Sequence, residues 1–153
     1  MHLVLTSTKL LLFLILFIPS FWCFIYTHSQ AINILNNEGI QVTSTSRCSN
    51  RNNPQCTSLD GIHSEAIEGI ITLKKASGCP IIITGGTEKG HSNVGARSHY
   101  NGWKLDIRKR GNDCTTRYIT KTFNKISENR WRAASGNVYF NEHNHWDIQY
   151  GNK

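Results

Sequence analysis

Five residues in two short stretches carry the donor types of a metal-assisted reaction. The stretch SHYNGWKLDIR, Ser98 to Arg108, offers His99 and Asp106, and further along NEHNHWDI, Asn141 to Ile148, offers Glu142, His143 and His145. Zinc in hydrolases is held by three nitrogen or oxygen ligands, with a fourth position open to water and a carboxylate nearby to accept a proton. Together the two stretches supply that inventory. On residue types alone a zinc hydrolase is the expectation, provided the rest of the chain brings the stretches together.

The first stretch has a local geometry to offer. Asn101-Gly102 is a strong two-residue turn signal. A tight hairpin there opposes Tyr100 to Trp103, His99 to Lys104 and Arg97 to Asp106, and makes His99 and Asp106 diagonal neighbours about 7 to 8 Å apart at Cα. Both side chains then reach one metal, although Lys104 and Arg97 share the face, so either a cation sits beside the site or the turn is looser. Taken alone, a His–Asp hydrogen bond across an ordinary hairpin explains the pair equally well. In the second stretch, Asn137 to Tyr150 has aromatic and β-branched ends with a polar middle, as in a strand crossing a site. Regular alternation puts His143, His145 and Asp147 on one face and turns Glu142 away. For Glu142 to act as a base it must lie on a turn or bulge just before the regular strand.

The preceding elements must hold these stretches. From Ser58 to Ser77, Ile62, Ala66, Ile67, Ile70, Ile71 and Leu73 follow helical spacing. Asp60 is placed to cap the helix, Glu65 and Glu68 sit early, Lys74 and Lys75 sit late, and Gly78 stops it. Pro80 to Thr84 (PIIIT) reads as a buried strand. Gly85 to Ser98 (GGTEKGHSNVGARS) is a glycine-punctuated loop suited to line a cleft, in which His91 is either near the metal, in contact with substrate, or without a task. His63 reads as a surface residue. Residues 31–57, rich in Asn, Ser and Thr and without sustained period, read as a linker or lead-in, with the domain beginning near Thr57.

Composition sets the frame. There is enough chain for one domain with a modest core. With 17 Lys and Arg against 10 Asp and Glu, the formal net charge is +7, which suits nucleic acid, anionic membranes or a polyanionic wall without choosing among them. Leu10 to Tyr26 (LLLFLILFIPSFWCFIY) is nearly all apolar, with Lys9 before it and no Lys or Arg until Arg47. That asymmetry leaves the N-terminus in the cytoplasm and sends the remainder outside. A signal peptide or N-terminal membrane anchor over residues 1–30 is therefore expected, and an extracytoplasmic location, secreted, periplasmic or anchored. Cys23 lies in the apolar run, leaving Cys48, Cys56, Cys79 and Cys114. Two disulfides, Cys48 with Cys56 and Cys79 with Cys114, are one arrangement, and free thiols are the other; without a CxxC pair a four-cysteine zinc site is disfavoured.

The pattern His99, Gly102, Asp106, then Glu142 and His145, resembles the zinc D-alanyl-D-alanine carboxypeptidases and dipeptidases and related phage cell-wall endopeptidases, which share a fold with the hedgehog signalling domain. Their signature is SxHxxGxAxD followed by ExxH or HxH, and the resemblance covers roughly Leu59 to Tyr150. It implies an α+β fold, a small single domain with a central antiparallel sheet flanked by helices. It further implies zinc held by His99, Asp106 and His145, with Glu142 as general base and His143 as oxyanion stabiliser. The implied substrates are peptidoglycan stem peptides, cut at D-Ala-containing or related bonds by a monomer. This sequence departs from the signature at Arg97, which stands in place of its serine while Ser98 is adjacent, and at Lys104, which replaces a small residue. Glu88 lies near the position of a substrate-holding arginine. Arg97, His91 and Ser98 are the candidate substrate contacts, with Arg97 as replacement cation for a substrate carboxylate.

Two other classes compete. An exported zinc-containing wall-binding module without catalysis would account for the departures. A nuclease built on the His143-Asn144-His145 triplet needs a following helix for which too little chain remains, so no nucleic-acid partner is expected.

Overall fold

The computed structural model describes residues 24–91, 93–110 and 113–151. The apolar run of the expected signal or anchor lies, through residue 23, outside the described residues. Among those described, no helix is long and apolar enough to cross a membrane.

In chain order the elements are β1 (Ile25–Tyr26), α1 (His28–Asn37), β2 (Gln41–Val42), β3 (Ile62–His63), α2 (Ser64–Ser77), β4 (Ile82–Gly85), β5 (Lys104–Arg108), α3 (Cys114–Thr122), β6 (Asn124–Ser127), β7 (Arg130–Arg132), β8 (Val138–Asn141) and β9 (His145–Gln149). Seven strands form one sheet in the order β2-β4-β5-β9-β8-β7-β6, and β1 pairs with β3 apart from it. The small α+β domain is as expected, but the sheet is mixed: its edge strand β2 runs parallel to β4.

Alternation in β5 and β9 creates the two faces on which everything else depends. Leu105 opposes Ile148 and Ile107 opposes Trp146, and all four are buried in one core with Ala31 and Leu35 of α1, Ala66, Ile67, Ile70 and Leu73 of α2, and Ile119 of α3. Each leucine or isoleucine among them contributes about 1.5–3 kcal/mol on burial. The helices thus cover one face. Trp146 also donates its Nε1–H to Thr116 Oγ1 of α3 at 3.1 Å. The opposite face receives Lys104, Asp106 and Arg108 of β5, set against Gln149, Asp147 and His145 of β9.

Four expectations about the elements are corrected. Residues 31–57 are not a linker, since α1 buries Ala31 and Leu35, Ile40 is buried as well, and β2 joins the main sheet. Thr27 and Gln30 form a reciprocal capping box at the start of α1, which satisfies orphan N–H groups at that end. The long helix begins at Ser64 rather than Ser58, and His63, not Asp60, is its N-cap. The preceding residues are used elsewhere: Ile62 and His63 pair with Tyr26 and Ile25, and the Ser58 carbonyl accepts from Thr87 N. Its C-terminus is as expected, with Gly78 at φ 65° and its N–H bonded to the Lys74 carbonyl.

The third correction concerns the hairpin. Residues 97–100 do not pair with β5, whose neighbours are β4 and β9. A turn does form, with Gly102 N bonded to His99 O at 2.8 Å and Trp103 N to Ser98 O at 3.1 Å. Gly102 has φ 77° and a Cβ there would strike the Gly61 carbonyl, so only glycine fits. His63 N bonds Gly102 O and Tyr150 N bonds Trp103 O, pinning this turn to α2's start and to the end of β9. Asn137 to Tyr150 is likewise two strands, β8 and β9, rather than one.

Candidate metal centre

His99, Asp106 and His91 converge at the mouth of the open sheet face. Their donor atoms all lie within 4.8 Å of one another, a group close enough to hold a metal ion. His145 adjoins it, with Nε2 3.7 Å from Asp106 Oδ1. His99 Nε2 lies 3.3 Å from the same oxygen. That oxygen is buried and makes no hydrogen bond, a costly state for a carboxylate unless a cation completes it.

Both imidazoles are oriented by their other nitrogen. His99 Nδ1 donates to the Gly86 carbonyl at 2.8 Å, and His145 Nδ1 donates to Asn144 Oδ1 at 2.9 Å. A ring that donates through Nδ1 presents an Nε2 lone pair when neutral. With both rings neutral, as a bound cation would make them, two Nε2 lone pairs face Asp106 Oδ1. Gly85 opposes Asp106 in the β4–β5 ladder, and a Cβ there would collide with Asp106 Oδ2, so the glycine makes room for the carboxylate.

Across β5 and β9, Asp106 directly opposes Asp147. Two carboxylates so placed repel, and cations intervene. Lys104 Nζ is 2.7 Å from Asp147 Oδ2, and His99 Nε2 is 3.6 Å from it. Burial by itself would lower the His99 pKa, but close contact and charge from Asp106 and Asp147 outweigh it and push it up to about 10. Burial likewise raises Asp147, and the same His99 and Lys104 contacts overcome it to hold the carboxyl below its ordinary value.

His91 stacks on His99 with ring centroids 4.2 Å apart. Its Nδ1 is 3.7 Å from Asp106 Oδ2, and its Nε2 is 2.9 Å from Glu88 Oε1. Glu88 is 2% exposed and accepts from Ser58 N and Gly86 N. Burial would raise its pKa, and bonds from His91, Ser58 and Gly86 instead lower it. Glu88 is therefore a buried fastener for His91 and the loop, not a substrate-holding residue.

Glu142 sits on the turn between β8 and β9, as its use as a base requires, with Oε2 3.2 Å from His145 Nε2. Lys104, Asp106, His145, Asp147 and Glu142 line a cleft of about 240 Å³ with His91 and His99. His143 is exposed on that turn and outside this lining, because β9 begins only at His145 and the expected alternation does not extend back to it. Arg97 is also outside; its guanidinium lies 5.8 Å from the centre of the Trp103 ring. Ser98 is buried and its Oγ accepts from Asn101 N at 3.3 Å, a turn-forming role. Asp147, Glu88 and Lys109 join the site's support although their sequence signal is weak; for Asp147 it is alternation with His145. A second cavity, of about 370 Å³ beside α1 and the Cys48–Cys56 loop, brings together no comparable donor set.

Comparison with known proteins finds no matching family model, no matching curated protein and no matching solved structure. The chemistry rests on the cleft itself.

Proposed function

We propose that the protein is a zinc-dependent peptidase of peptidoglycan stem peptides, acting as carboxypeptidase or endopeptidase at D-Ala-containing or related bonds. The observation that carries this reading is the orphan oxygen of Asp106, faced by His99 Nε2 and His145 Nε2, with the Glu142 carboxylate beside His145. His99, Asp106 and His145 are the ligand set. His91 bonds Glu88 through Nε2 and turns Nδ1 toward Asp106 Oδ2 at 3.7 Å, so it stands beside the set as a further donor within reach of an ion. This donor set, two imidazoles and a carboxylate, suits zinc.

Zinc held there would supply Lewis acidity toward a scissile carbonyl and a water. Glu142 takes the proton from the attacking water and delivers it to the leaving amine. The Gly86 and Asn144 acceptors keep both imidazoles in the ligating tautomer. Lys104 neutralises Asp147, so the net charge beside the ligands stays low. Peptidoglycan as substrate is supported by the motif resemblance and by two disulfides, Cys48–Cys56 and Cys79–Cys114, which suit an oxidising compartment outside the cytoplasm.

Glu142→Gln should keep zinc and lower hydrolysis of purified peptidoglycan by about 10²- to 10⁴-fold; undiminished turnover would remove Glu142 as base. His145→Ala should lose the metal, read by elemental analysis, and full zinc content would refute the ligand set. The second reading, an exported zinc-containing wall-binding module, is favoured by Glu88 standing buried where the resembling enzymes hold substrate. Zinc content and wall binding without release of any peptide fragment would select it.

A further inference from the structure

The two cations that flank Asp106 along β5 are not equivalent. Lys104 is engaged by Asp147 at 2.7 Å. Arg108 lies at the other end of the strand, directly opposite His145, on the face that bears Asp106 because alternate residues share a face. Its guanidinium makes no ion pair or side-chain hydrogen bond among the described residues. Asp106, Arg108, Lys109, Arg110, Asn144 and His145 line a cavity of about 520 Å³. Asp106 and His145 also line the cleft of the proposed metal centre, so the two spaces meet at the proposed ligands. Lys109 is occupied with Asn141 and the Glu142 carbonyl, which leaves Arg108 as the half-buried cation of this cavity and Arg110 as an exposed one at its edge.

We infer that this cavity is the substrate's carboxylate subsite, and that Arg108 selects peptides carrying a free carboxylate next to the scissile bond. The inference rests on the peptidase reading and names the part of the substrate that reading leaves open. Arg108 and Asp106 are about 6.5 Å apart along the strand, roughly the span of two peptide residues. A carboxylate one residue from a carbonyl at the metal therefore falls within the guanidinium's reach. The planar fork of arginine matches a carboxylate with two parallel bonds. Arg97, over Trp103 and outside the cleft, does not serve this purpose.

The test uses the zinc-loaded full chain and a stem peptide in two forms, identical except that the carboxyl of the residue following the scissile bond is free or amidated. The wild type should prefer the free acid by about ten- to a hundredfold in kcat/KM, mostly through KM. Arg108→Gln should bring the ratio to near unity by weakening the free-acid form while zinc content is retained, and Arg108→Lys should restore part of it. Equal cleavage of both forms by the wild type, or a preference that survives Arg108→Gln, overturns the subsite and leaves the peptidase reading standing. If neither form is cleaved, the peptidase reading falls, and calorimetric titration with the same peptides decides the subsite. Free-acid selectivity that Arg108→Gln removes sustains it, and binding without selectivity, or no binding, ends it.

Discussion

At the scale of single residues, the site is governed by two opposed carboxylates and the cations between them. With metal chelated, His99 occupies that position as an imidazolium, 3.3 Å from Asp106 and 3.6 Å from Asp147. Its folded pKa of about 10 lies above the ordinary value near 6.5. The stability it contributes is therefore fully present below about pH 6.5 and is lost as pH rises toward about 10. Thermal unfolding in chelator should show the melting temperature declining across that interval. Zinc should flatten the decline, because metal and proton compete for the same Nε2. A flat profile in chelator would disprove the arrangement of charges. The donor types at His99, Asp106 and His145 were legible in the sequence, whereas Arg108 as the proposed substrate cation was not. Arg97 and Arg108 are both two residues from a ligand, and only the β5–β9 register puts the second on the site's face.

At the scale of elements, Glu142, the proposed base, is placed by a clamp between β5's end and the β8–β9 turn. Lys109 donates its backbone N–H to Asn144 O at 2.9 Å, and its Nζ reaches Asn141 Oδ1 at 2.5 Å and Glu142 O at 3.2 Å. Glu142 N closes the turn on His145 O. Lys109→Met retains the aliphatic stem and removes the ammonium. It should lower kcat by about tenfold or more through misplacement of Glu142, with zinc content unchanged, since Asp106 and His145 remain on paired strands. Loss of zinc together with activity, or an unaltered kcat, would count against the clamp. The amphipathic stripe of α2 and its stop at Gly78 were readable from local sequence. Its start was not, because Ile62 satisfies a helical pattern and a strand equally and was claimed by β1.

At the scale of the whole molecule, three helices on one face leave the other open for chemistry, and disulfides fasten the ends of the arrangement. Cys79–Cys114 spans 35 residues and joins the α2–β4 turn to the start of α3, whereas Cys48–Cys56 spans 8. Chain entropy predicts about 4 kcal/mol for the longer loop and about 2.5 kcal/mol for the shorter. Paired Cys→Ser variants in urea unfolding should follow that order, and the reverse would show that local packing outweighs loop closure. Part of the chain's basic charge, +7 in all, gathers at this scale as Arg108, Lys109 and Arg110 around one cavity beside the proposed metal centre.

By itself the sequence determined the inventory: the imidazoles and carboxylates of the two stretches, a turn at Asn101-Gly102, and strands whose alternation separates core from site. These are local properties, set by residue type and by periods of two and 3.6. Tertiary structure decided which atoms meet. Asp106 faces His145 because β5 pairs with β9, and not because the chain turns back at Asn101. His91 is held by a buried carboxylate that accepts from Ser58 N, and α1 joins the core through two apolar positions, Ala31 and Leu35, with Ile40 just beyond it, too few to give residues 31–57 a visible period. Each of these depends on contacts between distant segments, whose register is chosen by the burial of whole faces and is not written in any one stretch.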